Sequence, residues 1–321
     1  MTLRQVGTSD MMVAPLALGG NVFDWTADEA ASFAILDAFV DAGGTMIDTA
    51  DVYSAWVPGH KGGESEALIG RWLKRDPAKR DKVVIATKVG FLDGKIEDGE
   101  YVASLHPDVI ARAADASLQR MGIDRIDLYY QHRDNPEVPL ADSFGAFDAL
   151  VKQGKVRATG MSNFTAERAE EALAACHQNG LAAPVALQPW YNLLERDKFE
   201  GPLSTLALNQ GLSVFNYYSL ANGFLTGKYR SKDDLGKSPR GLRSVEYLEG
   251  KGMRVLAALD EVAAETGASL ATVTLAWTKA QPGITAPIAS ATSLEQFRDL
   301  AAALTLDLTP AQIELLNRAS E

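Results

Sequence analysis

Cysteine is nearly absent from this sequence, since Cys176 is the only one among 321 residues. A single thiol forms neither an intrachain disulfide nor a multi-thiolate metal site, so disulfide scaffolds and cysteine-based zinc modules are excluded. This usage is typical of the reducing cytoplasm, where we expect the protein. Histidines are also few, at His60, His106, His132 and His177. Their spacing lacks the pairs that metal ligands require, so we predict no bound metal.

Long hydrophobic runs are missing too. No stretch approaches the roughly 18 uninterrupted apolar residues of a membrane helix, and the start, MTLRQVGTSD, lacks an apolar core behind a basic head. We therefore expect neither membrane insertion nor a simple secretion signal. Positive charge is scarce: 31 Lys and Arg against 42 Asp and Glu give a net charge of −11. Such a chain lacks the broad positive field of non-specific nucleic-acid binding, so we expect no nucleic-acid partner.

The sequence does contain a repeating order of apolar runs and amphipathic stretches. Eight apolar runs are strand candidates, at 14–19, 45–48, 83–88, 126–132, 156–162, 185–188, 212–218 and 284–288. Apolar positions at three- and four-residue spacing predict helices over 27–42, 65–75, 106–121, 140–152, 165–179 and 252–281. Repeated strand and helix predict an α/β fold, a single (β/α)₈ TIM barrel over residues 1–321. A doubly wound sheet is the alternative, although LGGNVF after the first run lacks its G-x-G-x-x-G fingerprint.

Other segments complete this barrel. Residues 3–13, LRQVGTSDMMV, predict an N-terminal β-hairpin that plugs the barrel floor. The tail predicts an extra C-terminal helix, with Thr309 as N-cap and Pro310 at the first helical position. Three long loops follow strands, where a barrel places its active site, at 54–64, 89–105 and 228–250.

Four polar side chains lie at or just after neighbouring strand ends. Asp48, Lys88 and His132 end the second, third and fourth strands, and Tyr53 lies five residues after Asp48. Each alone has an ordinary structural explanation, but barrel strands end on one face, so we expect all four to converge. We expect the ammonium to lower the pKa of the phenol, the carboxylate to keep the lysine charged, and the imidazole to hydrogen-bond a substrate oxygen. A Schiff-base aldolase acting through Lys88 is an alternative.

At these residues the sequence resembles the aldo-keto reductase family. The matching segments, in the family's order, are MIDTADVYS at 46–54, IATKVG at 85–90, DLYYQH at 127–132, GMSNF at 160–164, LQPWYNLL at 187–194 and YYSLANGFLTGKY at 217–229. The resemblance implies an NADP-dependent reductase of aldehydes or ketones, of the alcohol dehydrogenase type, in which the four side chains form a catalytic tetrad. Tyr53 would give the proton while the cofactor gives hydride. A nicotinamide-sensing regulatory subunit with slow turnover is the non-enzyme alternative.

The resemblance also implies a cofactor groove. Its nicotinamide and ribose end comprises Gly20, Asn21, Asp48, Ser162, Asn163 and Gln188, with the Tyr218 ring stacked on the nicotinamide. Its pyrophosphate turn comprises Ser219, Leu220, Ala221, Gly223 and Leu225, with Lys228 and Arg240 as phosphate-binding cations. Its adenine end comprises Ser290, Thr292, Gln296 and Asp299.

At three positions this sequence differs from the residues usual in the family, and these differences bear on the choice of coenzyme. Leu220 follows Ser219 where the family usually has proline, Ser290 replaces a usual glycine, and Leu300 replaces a usual asparagine. We expect NADPH to be preferred, with Arg240 at the 2′-phosphate beside Ser290, Thr292 and Gln296, and NADH as the alternative.

Aromatic residues on the loops suggest the substrate. We expect Phe23, Trp25, Trp56 and Tyr191 to line a pocket for an apolar or ring-bearing carbonyl compound, which Tyr53 and His132 would also contact. The short tail leaves this pocket open to bulky ketones. A small-molecule carbonyl substrate is the one partner expected, and the sequence does not indicate an oligomeric state.

Overall fold

The structure is a computed structural model that describes residues 1–91, 94–97 and 100–321. Its strands are β1 (Arg4–Gln5), β2 (Met12–Val13), β3 (Ala17–Gly19), β4 (Met46–Asp48), β5 (Val84–Val89), β6 (Lys95–Glu97), β7 (Glu100–Val102), β8 (Ile126–Gln131), β9 (Val156–Ser162), β10 (Ala186–Gln188), β11 (Ser213–Val214) and β12 (Ile288–Ala289).

Helices surround the strands. They are α1 (Glu29–Asp41), α2 (Glu64–Arg75), α3 (Pro107–Met121), α4 (Leu140–Lys152), α5 (Ala166–Asn179), α6 (Pro202–Asn209), α7 (Lys251–Thr266), α8 (Leu270–Ala280), α9 (Leu294–Ala302) and α10 (Pro310–Ala319). Short 3₁₀ helices cover Pro77–Lys82, Arg196–Lys198, Ala221–Thr226, Lys232–Lys237 and Gly241–Leu248. Among the described residues, no helix has both the length and the apolar composition needed to cross a membrane.

Eight strands form one parallel sheet in the order β11, β10, β9, β8, β5, β4, β3, β12. Backbone hydrogen bonds join its two ends, from Thr285 N to Val214 O at 2.8 Å and from Ile288 N to Asn216 O at 2.9 Å. These bonds close the sheet into a barrel, because the outer strands satisfy each other's backbone groups. The predicted (β/α)₈ fold is confirmed, and the open doubly wound sheet is wrong.

The predicted N-terminal hairpin is confirmed. Strands β1 and β2 pair antiparallel, and Val6, Met11 and Val13 are buried in one cluster with residues from the amino-terminal ends of the barrel strands. Arg4 Nη1 donates hydrogen bonds to the carbonyl oxygens of Lys279, Ile284 and Thr285 at 3.1, 2.9 and 3.0 Å. The hairpin therefore covers the amino-terminal end of the barrel and leaves the carboxyl end for the site.

The single helix predicted over 252–281 is wrong, because the structure divides it into α7 and α8. Gly267 ends α7 with a φ of +68°, and the Ser269 side chain accepts a hydrogen bond from Thr272 N to begin α8. A positive φ strongly favours glycine, so Gly267 itself marks the end of α7. The apolar periodicity nevertheless continues from α7 into α8. Helices α6 and α9 were not among the predicted stretches. The closing helix α10 is confirmed, with Thr309 as its N-cap and Pro310 in its first turn.

The three long loops follow β4, β5 and β11 and so lie at the carboxyl end of the barrel. The loop predicted over 89–105 contains the β6–β7 hairpin, and its residues 92, 93, 98 and 99 lie outside the described residues. The segment 228–250 is less irregular than its composition suggests, since two of the 3₁₀ helices lie within it.

Helix α2 packs closely on the end of α3 at Gly70. A Cβ at this position would lie 2.5 Å from Arg120 O and 2.9 Å from Met121 Cα, both backbone atoms. Gly145, inside α4, is a matched helical glycine where a Cβ would meet nothing within 4 Å.

We predict opposite effects of alanine at these two glycines. Gly70→Ala should lower the free energy of unfolding by about 1–3 kcal/mol, because backbone must move to admit the methyl group. Gly145→Ala should raise it by about 0.5–1 kcal/mol, because alanine is the better helix former. Urea unfolding measures both, and a Gly70→Ala variant as stable as Gly145→Ala would contradict the close packing.

Candidate active site

Lys88, on β5, lies at the centre of the site. Its ammonium is fully buried and donates to Asp48 Oδ2 at 2.7 Å, to the Thr49 carbonyl oxygen at 2.8 Å and to the Tyr53 hydroxyl at 3.0 Å. The Tyr53 hydroxyl in turn donates to Asp48 Oδ2 at 3.4 Å. These contacts are possible because β4 pairs with β5 in parallel, with Asp48 opposite Ala86. The structure thus brings three of the four predicted side chains into one hydrogen-bonded network.

His132 follows β8 and lies beside this network. Its backbone N–H donates to the Val89 carbonyl oxygen at 2.9 Å, which extends the pairing of β5 and β8 beyond the strand end. Its ring is 6.1 Å from the Tyr53 ring, centroid to centroid, at an interplanar angle of 75°. Both side chains keep partial exposure, whereas Asp48 and Lys88 are buried. We call this open carboxyl end of the barrel the mouth. A small molecule there can reach the phenol of Tyr53 and the imidazole of His132.

Burial dominates the ionisation of the site. It raises the pKa of Tyr53 well above 10, and the charge of Asp48 raises it further. The net direction is opposite to the lowering expected from Lys88, because burial outweighs the effect of the ammonium 3.0 Å from the phenol oxygen. Burial also lowers the pKa of Lys88, against the opposing effect of Asp48.

The imidazole of His132 is held neutral. Burial lowers its pKa well below 6.5, and the positive charges of Lys88 and Arg133 lower it further. Near neutral pH the site therefore presents a protonated phenol and a neutral imidazole. The phenol can release a proton. The neutral imidazole can donate a hydrogen bond but is a weaker acid than the phenol.

Gln188 has a structural partner that the sequence did not reveal. Its Nε2 donates to Asp48 Oδ1 at 2.8 Å, so that both oxygens of the buried carboxylate are engaged. Ser162 Oγ donates to the Gln188 carbonyl oxygen at 3.0 Å, from the adjoining strand β9. Ser162 and Gln188, predicted for the nicotinamide carboxamide, thus lie beside the tetrad and support Asp48.

Asn163 also braces the site. Its φ is +58°, its Nδ2 donates to the His132 carbonyl oxygen at 2.8 Å and to Ser162 Oγ at 3.1 Å, and its Oδ1 accepts from the Tyr217 hydroxyl at 2.5 Å. Both N–H groups of the amide are therefore engaged, and the second lone pair of Oδ1 is the position from which it could accept a bond from a carboxamide without losing a partner. Tyr217, which sequence reasoning missed, is recognisable only through this contact.

Tyr218 presents a half-buried ring at the mouth. Trp190 meets it edge to face with the centroids 4.5 Å apart, and the Tyr217 ring is 5.1 Å away. The backbone of Tyr218 has a φ of +57°, a conformation that costs free energy in a bulky residue and is held here by its surroundings. An oriented aromatic face of this kind fits the stacking role predicted for it.

The predicted pyrophosphate turn is already hydrogen-bonded within itself. Ala221 N donates to the Tyr218 carbonyl oxygen at 2.8 Å, and Gly223 N and Leu225 N donate to the Leu220 carbonyl oxygen at 2.8 and 3.3 Å. The Ser219 side chain is buried and donates to the Ile288 carbonyl oxygen at 3.0 Å. These amides would have to exchange partners to bind a phosphate.

Lys228 fits an anionic group better. Its Nζ lies 5.0 Å above the Tyr229 ring, and a Cβ on Gly223 would approach it to 2.7 Å, so that glycine lets the ammonium lie against the turn. Within the described chain no carboxylate pairs with Lys228. An ammonium without a counter-ion, beside an aromatic face at a barrel mouth, suits a nicotinamide coenzyme with its phosphates.

The predicted adenine end is assembled only in part. Ser290 Oγ donates to Asn21 Oδ1 at 2.8 Å, which joins the first and last strand loops. Thr292 N and Oγ1 both donate to Gln296 Oε1, at 3.0 and 3.1 Å, at the start of α9. Asp299 is exposed in the same helix.

Arg240 lies against the ring of Trp25. Its guanidinium lies 5.7 Å from the Trp25 ring centroid, and the charges around it come from Tyr218, Tyr229 and Arg243. The structure therefore places Arg240 beside the loop after β3, which also carries Asn21, and its predicted grouping with Ser290, Thr292 and Gln296 stays a prediction.

The aromatic residues predicted for the substrate divide into two groups. Trp25 and Trp56 meet edge to face at 5.4 Å, and Trp56 lies 6.2 Å from Tyr53, so these two reach the mouth. Phe23 and Tyr191 have 0% and 1% of their surface exposed, and a side chain without accessible surface cannot contact a substrate. For these two the prediction is wrong. Tyr191 instead stacks on Trp277 and donates to Glu200 Oε1 at 2.7 Å.

Asp51 is a residue of the site that sequence reasoning missed. Its Oδ2 accepts hydrogen bonds from Gly90 N at 3.2 Å and Phe91 N at 3.0 Å, and its own N–H donates to the Lys88 carbonyl oxygen at 3.3 Å. The carboxyl thus ties the loop that carries Tyr53 to the end of β5. Burial raises its pKa to about 7, and the nearby carboxylate of Glu66 contributes. Its position three residues after Asp48 was the only sequence signal.

This pKa predicts how stability changes with pH. Because the folded-state pKa of Asp51 lies above the unfolded value of about 3.9, the folded chain holds this proton more tightly, and the resulting stability is lost as pH rises from about 4 through 7. Asp51→Asn should therefore lose less stability than wild type between pH 5 and pH 8. Urea midpoints measure this difference, and Asp41→Asn, at an exposed carboxylate, should follow wild type. Parallel pH curves for wild type and Asp51→Asn would contradict the assignment.

A phenol hydrogen-bonded to a buried lysine–carboxylate pair, with a neutral imidazole beside it, forms an acid–base site. Its position at the carboxyl end of a parallel barrel is where enzymes of this fold carry out their chemistry. Fold and site together therefore define a (β/α)₈ protein that collects titratable side chains at the carboxyl end of its barrel.

The comparison with protein families is more specific. Residues 15–321 match the model described as the aldo/keto reductase family. The chain therefore belongs to the aldo/keto reductase family, and the predicted resemblance is confirmed. Members of this family are oxidoreductases that use nicotinamide cofactors, so a general carbonyl reductase activity is supported for this chain.

Individual relatives agree with this membership. The "uncharacterized oxidoreductase YrpG" of Bacillus subtilis is 32% identical over 99% of this chain and 95% of that protein. The "aldo-keto reductase yakc [NADP(+)]" of Schizosaccharomyces pombe is 31% identical over 92% of this chain and 84% of that protein. The "NADH-specific methylglyoxal reductase" of Escherichia coli K12 is 30% identical over 98% and 97%. The names of the last two specify different coenzymes.

Proposed function

We propose that this protein reduces aldehydes or ketones to alcohols with NADPH, and that Tyr53 donates the proton. The observation that carries the proposal is the contact of 3.0 Å between Lys88 Nζ and the Tyr53 hydroxyl, beside the ion pair of 2.7 Å between Lys88 and Asp48. This contact supports the proposal because the ammonium would stabilise the anion that the phenol becomes when it gives up its proton.

Tyr53 is suited to act as a general acid that gives up its proton only to a strong base. Its raised pKa keeps the phenol protonated at neutral pH, and an alkoxide developing on the substrate is a much stronger base than a phenolate. The proton therefore moves from Tyr53 Oη to the substrate oxygen as reduction proceeds. A bound nicotinamide coenzyme supplies the hydride.

Lys88 stabilises the phenolate that remains. Its ammonium donates to the phenol oxygen before transfer, so no rearrangement is needed when negative charge appears there. Burial disfavours the ammonium, and Asp48 keeps it charged. The ammonium thus favours the phenolate, and burial outweighs this effect in the net pKa of the resting protein.

His132 orients the carbonyl. A neutral imidazole donates one N–H, and its ring lies at a steep angle to that of Tyr53. Two donors converging on one oxygen polarise the carbonyl and select its orientation. Trp25 and Trp56 then form apolar walls above it.

The contacts of Lys88 favour this reaction over a Schiff-base aldolase. An imine-forming amine needs a free lone pair and access, but Lys88 is fully buried and directs all three N–H groups at oxygen acceptors. A slow nicotinamide-sensing subunit shares the complete tetrad with a reductase, and measured turnover separates the two.

NADPH is our proposed coenzyme, with NADH as the alternative. Tyr218 would stack on the nicotinamide, and Lys228 and Arg240 would meet the phosphates at the mouth. Ser290 and Asn21, joined by a hydrogen bond, would lie along the ribose side. We also propose that residues 1–321 form a single domain and that the protein acts in the cytoplasm.

Tyr53→Phe tests the proton donor. Because only the hydroxyl is removed, reduction of 4-nitrobenzaldehyde should fall by at least about 10²-fold, with NADPH affinity nearly unchanged. Steady-state rates and quenching of protein fluorescence by NADPH measure the two. The matched control is Tyr191→Phe, at a buried tyrosine whose hydroxyl bonds Glu200 away from the mouth, and it should keep its rate. Full turnover by Tyr53→Phe would refute the donor.

Lys88→Met and Asp48→Asn test the charge behind the phenol. Lys88→Met removes the ammonium, and Asp48→Asn leaves a buried lysine without the carboxylate that keeps it charged, so both should lower kcat and the lysine change more. The wild type incubated with a ketone and borohydride, without nicotinamide, should form no adduct. An adduct on Lys88 would establish the aldolase mechanism instead.

A further inference from the structure

Arg133 is an exposed arginine directly after His132, and among the described residues no carboxylate pairs with its guanidinium. The adjacent carboxylate, Asp134, is already occupied, since Arg168 Nε and Nη2 bind its two oxygens at 2.7 and 2.9 Å. In the part of the chain that the structure describes, no hydrogen bond or ion pair involves the Arg133 guanidinium. Other arginines on the surface do pair, for instance Arg230 with Asp260 at 2.8 Å.

Hydrogen bonds to the preceding residue, His132, fix the position of the Arg133 backbone. Asn163 binds the His132 carbonyl oxygen with its Nδ2 and the Tyr217 hydroxyl with its Oδ1, so residue 133 starts at the rim between the imidazole and Tyr217. The charge of Arg133 acts on both neighbours. It adds to the burial that lowers the pKa of His132, and it opposes the burial that raises the pKa of Tyr217.

A second unpaired arginine lies beside the same tyrosines. Arg243 Nη1 is 3.5 Å from the Tyr218 hydroxyl, and the rings of Tyr217 and Tyr218 are 5.1 Å apart. Arg243 is exposed and, within the described residues, has no carboxylate partner. In a chain with a net charge of −11, two guanidiniums without counter-ions at one mouth are a local excess of positive charge.

We propose that the carbonyl substrate carries an anionic group, a carboxylate or a phosphate, which Arg133 binds at the mouth, with Arg243 as the second cation. The inference rests on the proposed reduction at Tyr53 and specifies its substrate class. A planar guanidinium offers paired N–H donors that match both anions. The carbonyl end of the substrate lies at Tyr53 and His132, and its anionic end lies outward, where both arginines are exposed.

The anionic coenzyme is a different ligand for these cations, and the experiment must separate it from the substrate. Two substrates that share the carbonyl part, only one of which carries an anionic group, do so, because coenzyme contacts affect both equally. 4-Formylbenzoate and its methyl ester are such a pair, and glyceraldehyde 3-phosphate and glyceraldehyde extend the comparison to phosphate. The measured quantity is the ratio of kcat/KM for the anionic substrate to kcat/KM for its neutral counterpart.

In wild type this ratio should exceed one for at least one pair and should fall as salt is added. Arg133→Gln should lower this ratio by roughly 5- to 10-fold, as expected for one partly solvated charge-assisted contact. Arg133→Lys should restore part of it, and Arg243→Gln should lower it less. Arg318→Gln, which removes the same charge from an exposed position on α10, should leave it unchanged.

Each outcome has a distinct meaning. A higher ratio for the carboxylate pair alone, or for the phosphate pair alone, identifies the anion. A wild-type ratio of one or less for both pairs, or a ratio that Arg133→Gln does not change, would overturn the inference while leaving the reductase intact. If wild type reduces 4-nitrobenzaldehyde but none of these four compounds, the inference fails alone, and if it reduces none of the five, the proposed function fails as well.

Discussion

The buried ion pair of Lys88 and Asp48 is the interaction on which the site depends. Moving an ammonium and a carboxylate out of water costs several kcal/mol for each ion, and the cost is offset only where the remaining donors and acceptors are satisfied. Here the ammonium reaches Thr49 and Tyr53 as well as Asp48, and Gln188 takes the second carboxylate oxygen. The pair exists because β4 and β5 are parallel neighbours with a register that brings it together.

The surrounding contacts hold loops to this pair rather than add further chemistry. Asp51 ties the loop of Tyr53 to the end of β5, and Asn163 ties the residue after β8 to β9 and to Tyr217. Strain accompanies this bracing, since Asn163 and Tyr218 both have positive φ values. Such conformations persist only where several neighbours over-determine them, and they are common at active sites.

Charge and polarity divide the mouth into regions. Asp48 and Lys88 lie deepest, Trp25 and Trp56 form an apolar rim, and around the aromatic side chains lie Lys228, Arg133 and Arg243, which have no carboxylate partner among the described residues. Because the chain as a whole is acidic, this excess is local. A local field is enough to select small anions, since screening in water limits the reach of more distant charges to about 10 Å.

The sequence by itself determined the elements and the main chemistry. Apolar runs identified all eight barrel strands, and Asp48, Tyr53, Lys88 and His132 were recognisable because strand ends of a parallel barrel must meet on one face. Local signals also placed the cap of α10 correctly at Thr309. The apolar periodicity continues past Gly267 and therefore predicted one helix where the structure has α7 and α8. The positive φ of this one residue ends α7 despite the continuing pattern.

Only the tertiary structure decided burial, pairing and charge. Phe23 and Tyr191 look like pocket aromatics in the sequence, but packing removes them from any solvent-facing surface. The direction of the Tyr53 pKa shift could not follow from residue types alone, because it depends on how completely Asp48 offsets Lys88 and on how dry the site is. Arg133 is one arginine among many until the structure pairs Asp134 with Arg168. Distances, partners and solvent access arise between residues far apart in the chain, so no local pattern encodes them.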